Sequence, residues 1–368
     1  MQKKILFSFL FVLLSGCAFS DNGKTETEDT SPDTQTPDNK QDDMHNAETI
    51  ATGLNVPWSI QRQNDVFFIS ERGGTIAAID SNGTVTRSSV ELEKDVISTG
   101  EGGLLGFVLD PDFHQNQTAY IYHTYRENNR LFNRIAAIKK TDTQWSEQFV
   151  LLEEIPGAEI HNGGRLQIGP DGMLYATAGD ANQAHEAQNQ QNLAGSILRL
   201  DTNGDIPEDN PMPSSYIYSY GHRNPQGLSW DNNTLYSSEH GPSGRDEINR
   251  IEPGENYGWP IITGDESQEN AKTPLFHSGN DTWAPAGSTF HEGQLYVTGL
   301  RGNQLMQFSI PEGSMEMIYK DNDRLRDVYA DDTYLYVITN NRDGRGNPGQ
   351  EDDRLIRIPL SLNTTSRH

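Results

Sequence analysis

The stretch "EIHNGGRLQIGP" (159–170) sets His161 directly before Asn-Gly-Gly-Arg and a strand-like apolar run. A free imidazole titrates near neutrality and can take or give a proton, and the glycines beside it let backbone come close to another group. Guanidinium and amide groups recur in other short motifs: Arg223 and Asn224 in "YGHRNPQGLSW" (220–230), Arg301 in "GLRGNQL" (299–305), and Arg324 and Arg326 in "NDRLRDVY" (322–329). Glu101 in "GEGGLLGFVLDPDF" (100–113) and the acids of "SEHGPSGRDEIN" (238–249), followed by "NYGWP" (256–260), add carboxylates and tight turns. The formal net charge is −25, so a gathering of arginines runs against the overall sign and needs an anion to make sense. Taken singly, each residue has an ordinary reading. His161 fits a capped loop, Arg223 a structural bridge, Asn224 the turn before Pro225, and Arg324 with Arg326 a solvated pair on one face of a strand. Only their joint occurrence at equivalent places of a repeat favours chemistry.

That repeat is visible. Short strands recur as "VFFIS" (66–70), "AYIYH" (119–123), "LYATAGD" (174–180), "LYSSEHG" (235–241), "LYVTGL" (295–300) and "LYVITNN" (335–341). Most follow a polar turn such as "GPDG", "WDNN", "FHEG" or "ADDT", and each precedes a second strand: "TIAAID", "RIAAIKK", "SILRLD", "EINRI", "QLMQFSI", "RLIRIPL". Spacings of roughly 50 to 60 residues, and 40 for the last, suit four-stranded blades with insertions. The expected fold is therefore all-β, a six-bladed β-propeller, with a β-sandwich of the same hairpins as the alternative. Blades stacked around an axis gather their connecting loops at one mouth, where His161 and the arginines would meet.

Composition narrows the partners. The chain has 368 residues, 33% of them hydrophobic, and lacks long tracts of helical period, which agrees with a turn-rich β protein. The acidic excess disfavours nucleic acid and anionic lipid surfaces. "MQKKILFSFLFVLLSGC" has two lysines, an apolar run too short to span a bilayer, and small residues before Cys17, the only cysteine. Residues 1–16 read as a lipoprotein signal peptide, with Cys17 as the lipidated residue of an exported protein. Residues 18–48 carry nine acidic against two basic residues and little apolar content, so 17–48 is expected to be a disordered tether and 49–368 the propeller. The lipid is then the sole membrane contact, on the outer face of the cell membrane or in the periplasm or outer membrane.

"IHNGGRLQIGPDGMLYATAGD", "YGHRNPQGLSW", "SSEHGPSGRDEINRI" with "NYGWP", and "RLRDV" together resemble the soluble quinoprotein glucose/sorbosone dehydrogenase family, from about Leu54 to Leu360. The resemblance implies a six-bladed propeller that binds pyrroloquinoline quinone (PQQ) and Ca²⁺. It implies Arg223, Arg301, Arg324 and Arg326 around the three carboxylates of a flat ortho-quinone, and Asn224 on a quinone oxygen. Backbone carbonyls of Gly241 and Pro242 would hold a catalytic calcium, and Glu247 with the Tyr257 carbonyl a structural one. His161 would be the base that takes the proton from the C1 hydroxyl of an aldose while hydride passes to the quinone, giving a lactone. Three departures stand out: Glu101 where relatives often have glutamine, Ile160 where some have an aspartate beside the histidine, and Arg301 in place of a common lysine. The short interval between "NYGWP" and "LYVTGL" implies an open site, a broad sugar range and a monomer, with the electron acceptor unspecified. Two other readings remain: a calcium-dependent propeller lactonase or hydrolase, and a non-catalytic propeller that binds glycan or protein at the cell surface.

Overall fold

The computed structural model describes residues 47–360. The expected signal peptide, Cys17 and all but the last two residues of the expected tether lie outside the described residues. The first described strand is β1 (Glu48–Ala51).

Six four-stranded antiparallel blades follow. The first is β2 (Pro57–Gln63), β3 (Val66–Glu71), β4 (Thr75–Ile79) and β5 (Val85–Glu91); the second is β6 (Leu104–Leu109), β7 (Thr118–Glu127), β8 (Arg130–Lys140) and β9 (Trp145–Pro156). The third runs from β10 (Leu166–Ile168) through β11 (Leu174–Ala178) and β12 (Ser196–Leu200) to β13 (Ile217–Tyr220). The fourth comprises β14 (Pro225–Asp231), β15 (Thr234–Glu239), β16 (Glu247–Ile251) and β17 (Phe276–His277). The fifth comprises β18 (Pro285–His291), β19 (Gln294–Gly299), β20 (Gln304–Ser309) and β21 (Ser314–Lys320). The sixth joins β22 (Leu325–Ala330), β23 (Tyr334–Thr339) and β24 (Leu355–Pro359) to β1. Glu48 lies opposite Arg357 and Thr49 opposite Ile356, so the first strand completes the last blade and ties the two ends of the described propeller together. A short parallel pairing, Val90 to Trp145, also joins the outer strands of the first two blades.

The repeated hairpins of the sequence are strands two and three of every blade. The tight turns within and leading into them take the residues such turns require: Asn128 and Asn129 (φ 47° and 62°) between β7 and β8, and Glu292 and Gly293 (φ 47° and 80°) between β18 and β19. Two-residue turns of this hand need positive φ at both positions, which asparagine and glycine tolerate best. The first strands, β2, β6, β10, β14, β18 and β22, each contact the first strands of both neighbouring blades and form the inner ring. Apolar clusters fill the gaps between blades. Trp145 of the second blade, for instance, meets Phe68 of the first edge-on at 6.0 Å and stacks on Phe113 at 5.9 Å.

Five of the six inner strands carry a register irregularity near their start: Pro57/Ser59, Leu104/Phe107, Pro225/Gly227, Pro285/Ser288 and Leu325/Asp327. An extra residue at such a point re-aims the side chains around it. The inner ring is tied by a buried ion pair between Arg165 Nη1 and Asp327 Oδ2 at 2.8 Å. Asp327 also accepts Ile60 N–H at 2.9 Å, and Arg165 Nε donates to the Gln226 carbonyl at 2.8 Å. Gly287 of the fifth blade leaves room for this carboxylate, since a Cβ there would stand 1.6 Å from Asp327 Oδ1. Blades one, three, four, five and six thus meet around one charge pair.

Candidate active site

A cavity of about 430 Å³, counting the open space at its mouth, sits among the loops that enter the inner strands. Trp58, Arg72, Glu101, Asn162, Gly163, Asn224, Gln226, His240, Leu300, Arg326, Asp343 and Arg345 contribute to its lining. The bulges matter here, because Arg326 falls within the Leu325/Asp327 irregularity and Gln226 within the Pro225/Gly227 one.

His161 stands beside this cavity, with its neighbours Asn162 and Gly163 in the wall. Its backbone is left-handed (φ 60°), and its N–H donates to Glu101 Oε2 at 2.9 Å. Its Nδ1 lies 2.8 Å from Asp180 Oδ1. Asp180 is buried, and it also accepts Asn182 N–H and Trp259 Nε1, both at 2.8 Å. A carboxylate held this way accepts the hydrogen bond from Nδ1–H and leaves Nε2 as the lone-pair nitrogen. No hydrogen bond from the described residues reaches that Nε2, and the histidine side chain keeps 12% exposure.

Arg326, like Arg72, is a buried cation of the wall. Nη1 donates to Gln226 Oε1 at 3.1 Å, and Asn340, its amide oxygen turned toward the guanidinium, accepts from Nε at 2.9 Å. Burial lowers its pKa to about 9; Asp343 works the other way, and Arg324, Arg72 and Arg165 add to the fall. A guanidinium so placed gains from an anion brought into the cavity. Asn224 Oδ1 accepts Gly163 N–H and Gln226 Nε2, both at 3.1 Å, and its amide NH₂ makes no hydrogen bond within the described residues. Arg72 donates through Nε to the Gly102 carbonyl at 3.1 Å and through Nη2 to that of Gly100 at 2.5 Å, pinning the Glu101 loop.

A sequence profile places this arrangement. The Glucose / Sorbosone dehydrogenase family matches residues 54–357. The chain belongs to that family. It is 29% identical to the aldose sugar dehydrogenase YliI of Escherichia coli over 81% of this chain and 91% of the relative. It is 35% identical to quinoprotein glucose dehydrogenase B of Acinetobacter calcoaceticus over 58% of this chain, spanning only about half (52%) of that relative. Among solved structures, the PQQ-bound aldose sugar dehydrogenase of Streptomyces coelicolor superposes with a TM-score of 0.79 at 35% identity, covering 84% of this chain and 96% of that one. The apo-form of the soluble E. coli aldose sugar dehydrogenase gives 0.75 at 27% identity, over 85% and 98%. These named members are oxidoreductases, and the glucose/sorbosone dehydrogenase chain described here shares their propeller.

Within this family member, not every expected residue reaches the cavity. Glu101, Asn224 and Arg326 line it. Arg324 does not, because it precedes β22 and the bulge ends the simple alternation that would have aimed it beside Arg326. Its Nη1 donates to the Leu300 carbonyl at 3.1 Å and its Nη2 to Asp343 at 2.8 Å, linking the fifth and sixth blades. Arg301 is exposed, and its neighbour Leu300 takes the wall position. Arg223 lies in an adjoining pocket of about 230 Å³ with Glu239, His240, Glu247, Tyr257 and Trp259. There it sits over the Trp259 ring at 5.4 Å and donates to the His240 carbonyl at 3.3 Å. The single cationic cluster expected from the sequence is thus dispersed: Arg326 lines the cavity, Arg223 the adjoining pocket, and Arg301 and Arg324 neither, with His240 in the wall of both pockets.

The adjoining pocket is acidic. Burial, with Glu239 facing it, pushes the Glu247 carboxyl up to about 7. The carbonyls of Gly241, Pro242 and Tyr257 accept no hydrogen bond from the described residues. Of the three, only Tyr257 lines this pocket, while Gly241 and Pro242 follow His240 in the chain; among the described residues, no three His, Cys, Asp or Glu side chains converge as a ready metal cage, so a cation would depend on backbone oxygens. Residues that sequence reasoning missed are Asp180, Trp58, Arg72, Gln226, His240, Asp343 and Arg345. Asp180 had a signal: Glu71, Asp180, Glu239 and Asn340 all stand at or just past the end of a second strand, an acid or amide repeated with the blades.

Proposed function

We propose that this protein oxidises the C1 hydroxyl of aldose sugars to lactones, using PQQ and calcium, over a broad range of sugars. The observation that carries the reading is the His161–Asp180 pair, 2.8 Å apart, beside a cavity whose wall holds Arg72, Arg326 and Arg345. Membership of a family with a PQQ-bound neighbour of 0.79 TM-score supports the cofactor. The residues fit it: Arg326 is a buried cation short of an anion, and Asn224 has an uncommitted amide donor at the wall. The bound quinone would supply the hydride acceptor. The free carbonyls of Gly241 and Pro242 fit a calcium near the cavity, and Glu247 with the Tyr257 carbonyl a second ion in the adjoining pocket, where positive charge would offset two facing carboxylates.

The chain's own groups do the proton chemistry. Asp180 holds the Nδ1 proton of His161, so Nε2 can accept the proton of the sugar's C1 hydroxyl. Trp259 and Asn182 keep Asp180 fixed while the imidazole becomes positive. Arg326 and Arg72 would offset the negative charge of the cofactor's carboxylates. Arg223, Arg301 and Arg324 act from further out: Arg324 as a strut, Arg223 at the border with the acidic pocket, Arg301 at the rim. We further propose a monomer tethered by a lipid on Cys17 outside the cytoplasm, passing electrons to an acceptor of unspecified identity. The described residues contain no helix long and apolar enough to cross a membrane.

Reconstitution with PQQ and Ca²⁺, followed by dye reduction with a panel of aldoses, tests the reading. Sugar-dependent bleaching of the dye is the expected result. Lactone hydrolysis without dye reduction would replace it with the hydrolase reading, and glycan binding without turnover with the binding one.

A further inference from the structure

Glu101 and Arg345 are 244 residues apart in the chain and meet at the cavity. Glu101 comes from the loop before β6, and Arg345 from the loop between β23 and β24. Arg345 Nη1 donates to Glu101 Oε1 at 2.8 Å, while Glu101 Oε2 accepts the His161 N–H at 2.9 Å. Both carboxylate oxygens are therefore engaged, one by the histidine's backbone and one by the sixth blade. The far side of the contact is also fixed. Asp343 Oδ1 accepts Arg345 N–H and its Oδ2 accepts Arg324 Nη2, each at 2.8 Å.

A carboxylate in the wall of a site for a triply acidic ligand is unfavourable on its own, since like charges brought together repel. Here it arrives with a cation. A guanidinium has five N–H donors, and the only hydrogen bond that of Arg345 makes among the described residues is the one to Glu101. The remaining donors sit in the cavity wall on a side chain that is 54% exposed, open to a ligand from the mouth. We infer that Arg345 is a cofactor-binding residue: it is the counter-charge that makes Glu101 compatible with the cavity, and its unused N–H groups take one carboxylate of the quinone. This rests on the proposed quinone site. Glu101 is in turn a positioning residue that ties this cation to the backbone of His161.

Binding rather than turnover is the decisive readout. Equilibrium dialysis of the protein against PQQ in calcium buffer, scored by quinone absorbance, is expected to show Kd rising about tenfold or more for Arg345→Ala. Glu101→Gln keeps an oxygen for the His161 N–H and removes the charge, so its Kd stays at or below the wild-type value. The double variant recovers most of the loss, because no unpaired carboxylate remains. Arg345→Lys, which keeps charge without the planar fork, falls between wild type and Arg345→Ala. An Arg345→Ala Kd within twofold of wild type would overturn the inference, and so would a double variant as weak as Arg345→Ala. Absence of PQQ binding by the wild type would instead remove the quinone site itself and this inference with it.

Discussion

Two histidines in this propeller are held by buried carboxylates in nearly the same way. His161 Nδ1 lies 2.8 Å from Asp180, and His222 Nδ1 lies 2.9 Å from Glu239. Both carboxylates stand at the ends of second strands, in adjacent blades. The difference lies in the other nitrogen. His222 Nε2 is 2.9 Å from Ser219 Oγ, and its ring is fully buried and stacked on Tyr257 at 4.7 Å. His161 Nε2 has no partner among the described residues and stands beside a cavity. The same pair is spent on architecture where both nitrogens are engaged, and leaves one nitrogen for the proposed proton transfer where they are not. Glu239 shows the architectural use clearly: it also accepts the backbone N–H groups of Arg223 and Asn224, placing the loop that forms the cavity wall.

The largest expected effect separates the two histidines directly. His161→Ala should lower kcat for aldose oxidation by about 10³-fold, within the range of a general base, with little change in thermal stability. Full-rate dye reduction by that variant would erase the distinction. Asp180→Asn should cost about 10²-fold in kcat, because an amide can present its NH₂ to Nδ1 and favour the wrong tautomer. Steady-state assays of both variants at saturating PQQ check this order. For His222→Ala the expected loss is one of stability, about 1–3 kcal/mol by urea unfolding, since Glu239 and Ser219 lose their buried partner. If His222→Ala instead matched His161→Ala in lost turnover at unchanged stability, the comparison would fail.

The smallest effect is a pH dependence. Burial pushes the Glu101 carboxyl up, but the His161 N–H and then Arg345 outweigh it and hold the group below the usual carboxylate range. Its contribution is therefore fully present above the ordinary carboxylate pKa and is lost as pH falls through the lower, folded-state value. Wild type should exceed Glu101→Gln in urea midpoint near neutrality, and the gap should close as pH drops below about 4. A gap that widened on acidification would reverse the sign.

Strands two and three of every blade were legible because they are short, largely buried runs rich in aliphatic, β-branched and aromatic residues, most of them set behind a polar turn. The outer strands were not. β5, "VTRSSVE", and β21, "SMEMIYK", are largely exposed and carry no apolar pattern. The inner strands hide for another reason: β10 has only three residues, and β14 and β18 each carry a glycine where a neighbouring blade approaches closely. In the site, His161, Asn224, Arg326 and Glu101 could be read from their motifs. Arg324 was misplaced because the strand rule of alternation fails at a bulge, and Arg345 was invisible because it lies in a polar loop with no motif around it.

Residue types and their repetition were enough to determine the blade unit, its number and the presence of an imidazole near arginines, since hydrophobic periodicity and turn chemistry are local properties written along the chain. The choice of Asp180 as partner of His161, the sharing of Glu101 between a backbone N–H and Arg345, and the division of the arginines between two pockets were decided only by tertiary structure. Those contacts join groups 19 to 244 residues apart, and their distances depend on ring closure and on where each inner strand bulges.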